Sequence, residues 1–444
     1  MKRIVVLGGG ESGSGAAVLA KVKGFDVFLS DNGKIKEEHA ARLREYGIPF
    51  EEEGHSMEKI CIADEVIKSP GIPDTAPLII GLNARGVSVI SEIEFAGRYD
   101  NSKKICVTGS NGKTTTTSLI YYLLKNAGLN VGLAGNIGQS YAYQVATEAH
   151  DIYVLEISSF QLDGMYEFKA DIAVLLNITP DHLDRYGNRM QNYINSKFRI
   201  TRNMAKEDCF IFCSDDEITI EHLNRIIIQA QKLPFSQNSI VEQGACVEGD
   251  KMCVRYGDSS YEMFLHELAL QGKHNIYNSM AAAITGKVMN ITNSTIRKAL
   301  TTFKGVEHRM EKALSVGGVM YINDSKATNV NSTWYALESI KTPIVLILGG
   351  TDKGNDYSPI ADLIKEKVRA IVCLGVDNRK IHDFFGDKVA EIHDTRSAEE
   401  AVKIAASIAK KGDTVLLSPS CASFDLFENY EDRGRQFKAA VKNL

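Results

Sequence analysis

The segment from Ile105 to Lys125 narrows the possible folds more than any other part of the sequence. A short apolar run, Ile105–Thr108, precedes Gly109-Ser110-Asn111-Gly112-Lys113-Thr114, and helix-like apolar periodicity follows over Ser118–Lys125. A strand, a glycine-rich turn and a helix in this order present backbone N–H groups at a helix N-terminus, where they attract phosphate. The segment therefore predicts an α/β domain with a phosphate-binding loop.

Two side chains of this loop indicate nucleotide chemistry. Lys113 can neutralise the charge of β- and γ-phosphates, and Thr114 offers a hydroxyl to Mg²⁺. A full Walker pattern would place a glycine at position 107, where this chain has Val, so the loop is a shorter variant. On this segment alone, an ordinary strand-turn-helix with an incidental Gly-Lys-Thr remains the alternative.

Strand-like apolar runs alternate with helical stretches along the chain, which predicts an α/β protein of three domains. With 444 residues, the chain exceeds the roughly 100–200 residues of a single domain. A polar segment, Arg98–Lys104, and the end of the helical pattern at Thr301–His308 indicate boundaries. We expect a Rossmann-like domain over 1–96, a P-loop ATPase-like domain over 97–305 and a second Rossmann-like domain over 306–444.

Composition excludes several classes of protein. Hydrophobic residues make up 44% and charged residues 24%, a soluble balance, and the net charge of -5 provides no positive field for nucleic acid. No apolar stretch approaches the ~18 residues of a membrane span, and the N-terminal apolar run is too short for a signal peptide, so we expect a cytoplasmic protein. Cys209 and Cys213 are the only close cysteine pair, and without nearby histidines they indicate buried thiols rather than zinc.

A second glycine-rich turn lies near the N-terminus. Gly8-Gly9-Gly10-Glu11-Ser12-Gly13 follows the strand-like run Ile4–Leu7, and Asp31 ends the next strand about twenty residues later. This spacing is typical of dinucleotide sites, so a nicotinamide-dependent oxidoreductase is the alternative function. The same geometry suits any diphosphate. A nucleotide-diphosphate substrate here, with ATP at Lys113, accounts for both loops.

Candidate metal ligands follow the strands after the phosphate loop. Glu156 ends the run Ile152–Leu155, and His182 and Asp184 follow the run Ile172–Leu176. Carboxyl ends of parallel strands share one sheet edge, where ligands bind. Because Mg²⁺ prefers oxygen donors, Glu156 is the natural ligand and His182 the unusual one.

Taken together, these motifs resemble those of the Mur ligase family, over essentially the whole chain. The motifs that carry the resemblance are Gly8–Gly13, Ser69-Pro70-Gly71, Gly109–Thr114, Gly135–Gly138, Glu156–Gln161, Asp181–Tyr186, His274-Asn275 with Asn278, His308-Arg309, Asn323–Asn329, Gly349–Gly354 and Ser418–Asp425. The run Asp324–Asn329 resembles the D-glutamate-adding branch. The resemblance implies that ATP phosphorylates the carboxylate of UDP-N-acetylmuramoyl-L-alanine, that D-glutamate attacks the acyl phosphate, and that two Mg²⁺ ions assist a monomeric enzyme.

The resemblance also implies roles for individual residues. The catalytic group would be Lys113, Asn136, His182, Lys197 and Lys326, and the metal ligands Thr114, Glu156, His182 and a carbamylated Lys197. ATP would be bound by Gly109, Ser110, Asn111, Gly112, Lys113, Thr114, Thr115, Asn275, Asn278, Arg309 and Asp324. The UDP substrate would contact Gly8, Gly10, Ser12, Gly13, Asp31, Asn32, Ser69, Asn136, Ser158 and Gln161, and D-glutamate would contact Thr328, Lys353, Ser423, Phe424 and Tyr430.

Three further expectations concern single residues. Lys197 lies fifteen residues after His182 on a helix-like run from Met190 to Arg202, which matches the family's modified lysine. Asn32 and Glu11 depart from the family pattern near the uridine site. Trp334, the only tryptophan, is expected in the core.

Overall fold

The computed structural model describes residues 1–444 and contains three β-sheets flanked by helices. The expected three-domain α/β architecture is therefore confirmed. Two compact units account for the chain: the first comprises residues 1–268 and 277–303, and the second comprises residues 269–276 and 304–444. The first unit contains two of the sheets, and the second contains the third.

The N-terminal sheet is parallel throughout, with the order β3-β2-β1-β4-β5. Its strands are β1 (Arg3–Leu7), β2 (Asp26–Ser30), β3 (Phe50–Glu51), β4 (Glu65–Lys68) and β5 (Ser88–Ile90). Its helices are α1 (Glu11–Val22), α2 (Glu37–Glu45), α3 (Met57–Ile60), α4 (Pro77–Ala84) and α5 (Glu92–Gly97). Because helices cover both faces of a parallel sheet, the continuous apolar run of β1 is buried rather than alternating.

The second sheet has nine strands in the order β14-β13-β12-β11-β10-β9-β6-β8-β7. They are β6 (Lys103–Thr108), β7 (Val131–Gly135), β8 (Ile152–Glu156), β9 (Ile172–Leu175), β10 (Cys209–Cys213), β11 (Gln231–Ser236), β12 (Gly244–Glu248), β13 (Lys251–Tyr256) and β14 (Ser259–Phe264). The helices are α6 (Lys113–Asn126), α7 (Tyr141–Thr147), α8 (Ser159–Asp163), α9 (Met190–Phe198), α10 (Glu217–Leu223), α11 (Lys273–Val288) and α12 (Asn293–Thr302). Only β12, β13 and β14 pair with each other antiparallel.

The third sheet has the order β15-β16-β20-β17-β18-β19 and is parallel except for the β15–β16 pair. Its strands are β15 (Glu311–Val316), β16 (Val319–Asn323), β17 (Ile344–Leu348), β18 (Val368–Leu374), β19 (Glu391–Thr395) and β20 (Thr414–Leu417). Its helices are α13 (Val330–Ser339), α14 (Ala361–Lys367), α15 (Arg379–Phe385), α16 (Ala398–Ile408) and α17 (Tyr430–Lys442). Separate apolar clusters fill its two faces.

Several local expectations need correction. Helix α6 begins at Lys113 rather than Ser118, because Gly112 adopts left-handed backbone geometry and starts the helix directly after the loop. Helix α9 ends at Phe198, and a single 3₁₀ turn follows where the sequence predicted helix to Arg202. Trp334 is only partly buried: it packs edge-on against Tyr335 at the border of a core cluster.

Two further observations concern the burial of the cysteines and the character of the helices. Cys209 and Cys213 are buried in β10, as expected of core thiols, and of the eight cysteines only Cys61 is partly exposed. Among the helices of the structure, none combines the length and the apolar character that crossing a membrane requires.

A buried polar network joins α1 and α5 to α7 within the first unit. The hydroxyl of Ser140 and the backbone N–H of Ala142 both donate to Oε1 of Glu92, and the N–H of Ser140 donates to Glu11 at 2.9 Å. Gly15 permits the close approach, since a Cβ there would lie 2.0 Å from the Ser140 hydroxyl.

Helix α5 (Glu92–Gly97) spans the domain boundary that the sequence analysis expected at residues 96–97, so the position of that boundary stays a prediction.

This network gives the stability of the first unit a dependence on pH. Burial raises the pKa of Glu92 to about 7, against hydrogen bonds from Ser140 and Ala142. The folded state therefore holds the proton more tightly than the unfolded chain. The stabilisation is complete below the unfolded pKa and is lost as pH rises through about 7. Each tenfold difference in proton affinity corresponds to ~1.4 kcal/mol. The free energy of unfolding should therefore fall by about 3 kcal/mol over this pH range.

We expect Glu92→Gln to remove most of this dependence. Between about pH 5 and about pH 9, the unfolding free energy of the natural chain should fall by about 3 kcal/mol relative to the variant. Urea unfolding followed by circular dichroism measures both. Glu45→Gln, at an exposed position of α2, is the matched control and should parallel the natural chain. If the unfolding free energy of Glu92→Gln varied with pH in the same way as that of the natural chain, Glu92 would not be the source of the dependence.

Candidate functional site

The glycine turn of the first domain lies at the carboxyl end of β1. Gly8 has a φ of +93°, and a Cβ there would lie 2.6 Å from the Ser69 hydroxyl oxygen, so only glycine fits. A Cβ on Gly13 would lie 1.8 Å from the carbonyl oxygen of Gly8. Gly10 has open space where its side chain would be. The structure thus brings Gly8, Gly13 and Ser69 together, as the sequence predicted, in a turn that backbone atoms can approach closely.

Asp31 holds this turn in place. One carboxylate oxygen accepts the N–H of Gly9 at 2.5 Å, and the other accepts the N–H of Gly33 at 2.7 Å. The neighbouring Asn32 is exposed, and Ser12 lies in the first turn of α1. Glu11, the other departure from the family pattern, pairs with Arg42 at 3.2 Å. The ion pair of Glu11 with Arg42 therefore links α1 to α2 in this structure.

The phosphate loop follows β6 as predicted. Gly112 has a φ of +85°, and a Cβ there would lie 2.6 Å from Oδ1 of Asn278. The Lys113 ammonium donates to the carbonyl oxygens of Gly109 and Ser110 at 2.7 and 2.8 Å, so its charge lies over the loop. Thr114 and Thr115 are buried in the first turn of α6. The N-terminus of this 14-residue helix and the lysine charge together favour an anion.

Residues outside the predicted set brace the loop. Asn177 accepts the N–H of Asn111 at 2.9 Å through its side-chain oxygen, and the Ser110 hydroxyl donates to the Thr179 carbonyl at 2.9 Å. The hydroxyls of Ser110 and Tyr193 are 3.0 Å apart. Asn177 and Thr179 follow β9, so the rule that ligand-site residues follow parallel strands could have found them. Nothing in the sequence marked Tyr193.

Lys197 is buried directly beneath the loop. Its exposed fraction is 1%, and Nζ donates to the Gly109 carbonyl at 2.9 Å and the Thr108 hydroxyl at 3.2 Å. Burial, reinforced by the charge of Lys113, holds the pKa of Lys197 well below its usual value, although nearby carboxylates oppose this. The site therefore favours a neutral amine at this position.

The predicted metal ligands Glu156 and His182 lie at the end of β8 and after β9. Glu156 is buried at the end of β8, where the Asn136 side-chain amide donates to its Oε1 at 2.8 Å. His182 has left-handed backbone geometry, and its ring contacts Phe160 edge-on with 5.2 Å between centroids. Its Nε2 lies 3.6 Å from Asp181.

Two residues predicted to contact the UDP substrate also cap α8. The Gln161 side-chain oxygen accepts the N–H of Ser158 at 2.9 Å, and the Ser158 hydroxyl oxygen accepts the N–H of Gln161 at 3.3 Å. This reciprocal capping box satisfies N–H groups that the helix leaves unpaired. The Ser158–Gln161 spacing therefore has a structural role independent of any ligand.

In the second unit, the predicted residues after β16 meet those after β20. The Ser418 hydroxyl donates to Asp324 at 2.9 Å, and the Met310 N–H donates to its other oxygen at 3.2 Å. Burial raises the pKa of Asp324 to about 7, against the Ser418 hydrogen bond and the charge of Arg309. The burial of Asp324 therefore favours the protonated carboxyl more than an exposed position would.

Lys326 and Tyr430, which were predicted for different roles, lie close together in this unit. The Lys326 ammonium sits 5.1 Å from the Tyr430 ring centroid, a cation–π distance. Arg433, which the sequence did not single out, is fully buried beside them. It donates to the hydroxyl of Ser325 at 3.0 Å and to its carbonyl at 2.8 Å, and therefore supports the loop that carries Lys326.

The remaining predicted residues of the second unit differ in exposure. Ser423 is buried, whereas Phe424 is 73% exposed and Lys353 is exposed on the loop after β17. The N–H of Thr328 donates to the Lys326 carbonyl at 3.0 Å, which places both on one turn. The Asn275 side-chain amide donates to the carbonyl of Gln271, four residues earlier, at 2.9 Å.

Comparison with known proteins identifies these features. Residues 107–286 match the family model described as the Mur ligase middle domain. Residues 308–421 match the glutamate ligase domain of Mur ligases, and residues 3–77 match the MurD N-terminal domain. The two glycine-rich loops thus fall within different matched domains.

Full-length relatives and solved structures agree with the domain matches. A UDP-N-acetylmuramoylalanine--D-glutamate ligase from Bacteroides fragilis is 60% identical, with 100% of both chains covered. The crystal structure of UDP-N-acetylmuramate-alanine ligase from Thermotoga maritima, 21% identical, has a TM-score of 0.64 and covers 100% of this chain and 99% of that one. A MurF ligase from the same organism, in complex with ADP, has a TM-score of 0.61 at 16% identity and covers 94% and 95%. Because this chain matches three Mur ligase domain models and is 60% identical over its whole length to the Bacteroides fragilis ligase, it belongs to the Mur ligase family.

Proposed function

We propose that this protein joins D-glutamate to UDP-N-acetylmuramoyl-L-alanine, with ATP as the source of energy, in the synthesis of peptidoglycan precursors. The observation that carries the proposal is the 60% sequence identity, over the full length of both chains, with a protein named UDP-N-acetylmuramoylalanine--D-glutamate ligase. The phosphate loop at Gly109–Thr114 and the buried Lys197 beneath it supply a matching chemical basis.

The chemistry requires activation of a carboxylate, which is a poor electrophile in water. An oxygen of the alanyl carboxylate attacks the γ-phosphorus of ATP, and the bond to the bridging oxygen of ADP breaks. The amine of D-glutamate then attacks the acyl carbon, loses a proton, and phosphate leaves. Negative charge builds on the phosphoryl oxygens, so Lys113 and the N-terminal N–H groups of α6 stabilise it.

The oxygen donors at this site fit Mg²⁺. Glu156 is buried and oriented by the Asn136 amide, and the Thr114 hydroxyl lies in the first turn of α6. A buried carboxylate at a sheet edge is well matched to a hard cation. Mg²⁺ bound there would neutralise charge on the phosphates. We propose that Thr114 and Glu156 hold one ion and that His182 and Lys197 hold a second.

Lys197 can serve a metal only after modification. Its amine reacts with CO₂ to form a carbamate and release a proton, and this reaction requires the neutral form. Burial and the charge of Lys113 favour that form, as the lowered pKa of Lys197 indicates. The carbamate would offer anionic oxygens, the donors that Mg²⁺ prefers, in place of an amine nitrogen.

The second unit is proposed to bind the amino acid, and several of its residues are proposed ATP ligands. Asn275, Arg309 and Asp324 are assigned to the nucleotide, and Asn278 is likewise a proposed ATP ligand. Lys326 is assigned to the reacting groups, where the neighbouring Tyr430 ring supports its position. Thr328, Lys353, Ser423, Phe424 and Tyr430 are assigned to D-glutamate.

The first domain is proposed to bind the UDP substrate. Gly8, Gly10, Ser12 and Gly13 offer a turn that phosphate oxygens can approach, with Asp31, Asn32 and Ser69 beside it. The nicotinamide-dependent alternative would leave Lys113 and its loop without a role.

The decisive experiment measures phosphate release from ATP with UDP-N-acetylmuramoyl-L-alanine and a panel of D- and L-amino acids. We expect release to require both the nucleotide sugar peptide and D-glutamate. Strong activity with another amino acid and no dependence on D-glutamate would assign the chain to another branch of the family. A requirement for NADH would favour the oxidoreductase.

Lys353→Ala is expected to raise the KM for D-glutamate at least tenfold and to leave the KM for ATP nearly unchanged. An exposed lysine that faces a substrate carboxylate contributes a charge-assisted contact of about 1.5–3 kcal/mol. Steady-state kinetics with each substrate varied in turn gives both constants. Lys403→Ala, at an exposed position of α16, is the matched control. An unchanged KM for D-glutamate would remove Lys353 from the site.

A further inference from the structure

A side-chain cluster outside the proposed active site gathers metal-binding groups in the second unit. The parallel register of β18 and β19 places Cys373 directly beside Asp394. Neighbouring residues in register point to the same face of a sheet. On this face α15 packs over the strands through Ile381 and Phe385. The helix thereby carries His382 to the two strand residues.

The distances within this cluster suit one ion. One ligand atom each from Cys373, His382 and Asp394 lies within 4.8 Å of the others. The His382 Nε2 lies 3.1 and 3.0 Å from the two oxygens of Asp394. In a tetrahedral zinc site, with metal–ligand distances of about 2.0–2.3 Å, ligand atoms are about 3.3–3.7 Å apart. Only small side-chain movements separate the present arrangement from a metal-bound one.

The cluster also has the supporting contact that metal ligands usually have. The side-chain amide of Asn378 donates to Oδ1 of Asp394 at 2.9 Å and to the Gly375 carbonyl at 3.2 Å. Such a contact fixes the orientation of a ligating carboxylate. It leaves Oδ2 of Asp394, the oxygen nearer to His382, as the better-placed donor.

Access to the cluster comes from one side. Cys373 is fully buried beneath α15, whereas His382 and Asp394 line an open cleft of about 930 Å³. Three protein ligands below an open cleft leave a fourth position for water or for an oxygen of another molecule, as in zinc sites that are not closed. None of the residues assigned to ATP, the UDP substrate or D-glutamate belongs to this set.

We propose that Cys373, His382 and Asp394 form a binding site for a borderline-soft divalent cation, Zn²⁺, separate from the Mg²⁺ sites of the ligase. The donor set decides the class of metal, because a thiolate and an imidazole suit Zn²⁺ and do not suit Mg²⁺. Binding replaces the thiol proton of Cys373, which passes to solvent. The ion would join β18, β19 and α15, and so stabilise this edge of the second unit.

The test is a titration of the full-length protein with Co²⁺ and Zn²⁺. Excess Mg²⁺ is present throughout, so that it occupies the metal sites that are built from oxygen ligands. We expect the protein to bind one Co²⁺ ion, with a near-ultraviolet thiolate-to-metal absorption band. Zn²⁺ should displace the Co²⁺ ion and raise the melting temperature of the protein. Cys373→Ser should abolish the band. His382→Gln and Asp394→Asn should weaken Zn²⁺ binding at least about tenfold and remove the thermal shift.

His393→Gln is the matched control, because His393 is on the same strand and pairs with Glu391 at 2.8 Å away from the cluster. It should bind Zn²⁺ like the natural chain. If Cys373→Ser does not fold, His382→Gln still decides the question, since His382 is partly exposed. Equal Zn²⁺ affinity in His382→Gln and His393→Gln, or a Co²⁺ spectrum without a thiolate band, would overturn the proposal.

Discussion

Lys113→Ala is expected to lower turnover by a factor on the order of 10²–10³ or more. The side chain places a point charge over the loop, 2.7 Å from the Gly109 carbonyl. Charge develops on phosphoryl oxygens in the transition state, so removal of this ammonium costs about 3–4 kcal/mol of stabilisation. Phosphate release at saturating substrates measures the effect.

Two controls separate a chemical effect from a structural one. Lys125→Ala, in the last turn of the same helix, should leave turnover near the natural value. Calorimetry should show unchanged binding of UDP-N-acetylmuramoyl-L-alanine to Lys113→Ala, since that substrate is assigned to the turn at Gly8–Gly13. Near-normal turnover in Lys113→Ala would mean that the loop has only a structural role.

Lys197→Ala is expected to reduce turnover by a comparable factor, on the order of 10²-fold, because it removes the proposed carbamate ligand of the second Mg²⁺. A small carboxylate such as acetate should restore part of the activity, since it can occupy the vacated space with two anionic oxygens. Lys206→Ala, at an exposed position outside α9, is the matched control and should retain full activity.

A spectroscopic measurement tests the modification without reference to activity. The natural chain, equilibrated with ¹³C-labelled bicarbonate, should show a carbamate resonance that Lys197→Ala lacks. Full activity of Lys197→Ala without any additive would contradict the proposal. A crystal structure with an unmodified Lys197 amine and both metal ions bound would contradict it equally.

Local pattern in the sequence was sufficient to predict the fold class and the position of the phosphate loop between β6 and α6. Apolar runs such as Ile344–Leu348 are continuous because their strands are buried on both faces, so they predicted parallel sheets. The phosphate loop was recognisable because its function depends on adjacent residues, Gly112, Lys113 and Thr114. Residues at the ends of strands, such as Glu156, were predictable because parallel strands end at a common edge.

Some predicted residues have roles that only the structure could assign. The carboxylate of Asp31 accepts two backbone N–H groups, and Ser158 and Gln161 cap a helix. Spacing alone does not reveal these contacts, because a polar side chain at a strand end can equally bind a ligand or its own backbone. Trp334 was expected in the core because it is large and apolar, but on α13 it packs at the border of a core cluster and stays partly exposed.

The sequence by itself determined the α/β fold class, the two glycine turns and the family, since these depend on residues close together in the chain. Tertiary structure alone decided the burial of Lys197 and Asp324, and hence the direction in which their pKa values move. It also decided that Cys373 and Asp394 are neighbours, through the register of two strands. Burial and register arise from packing between distant segments, which no local pattern records.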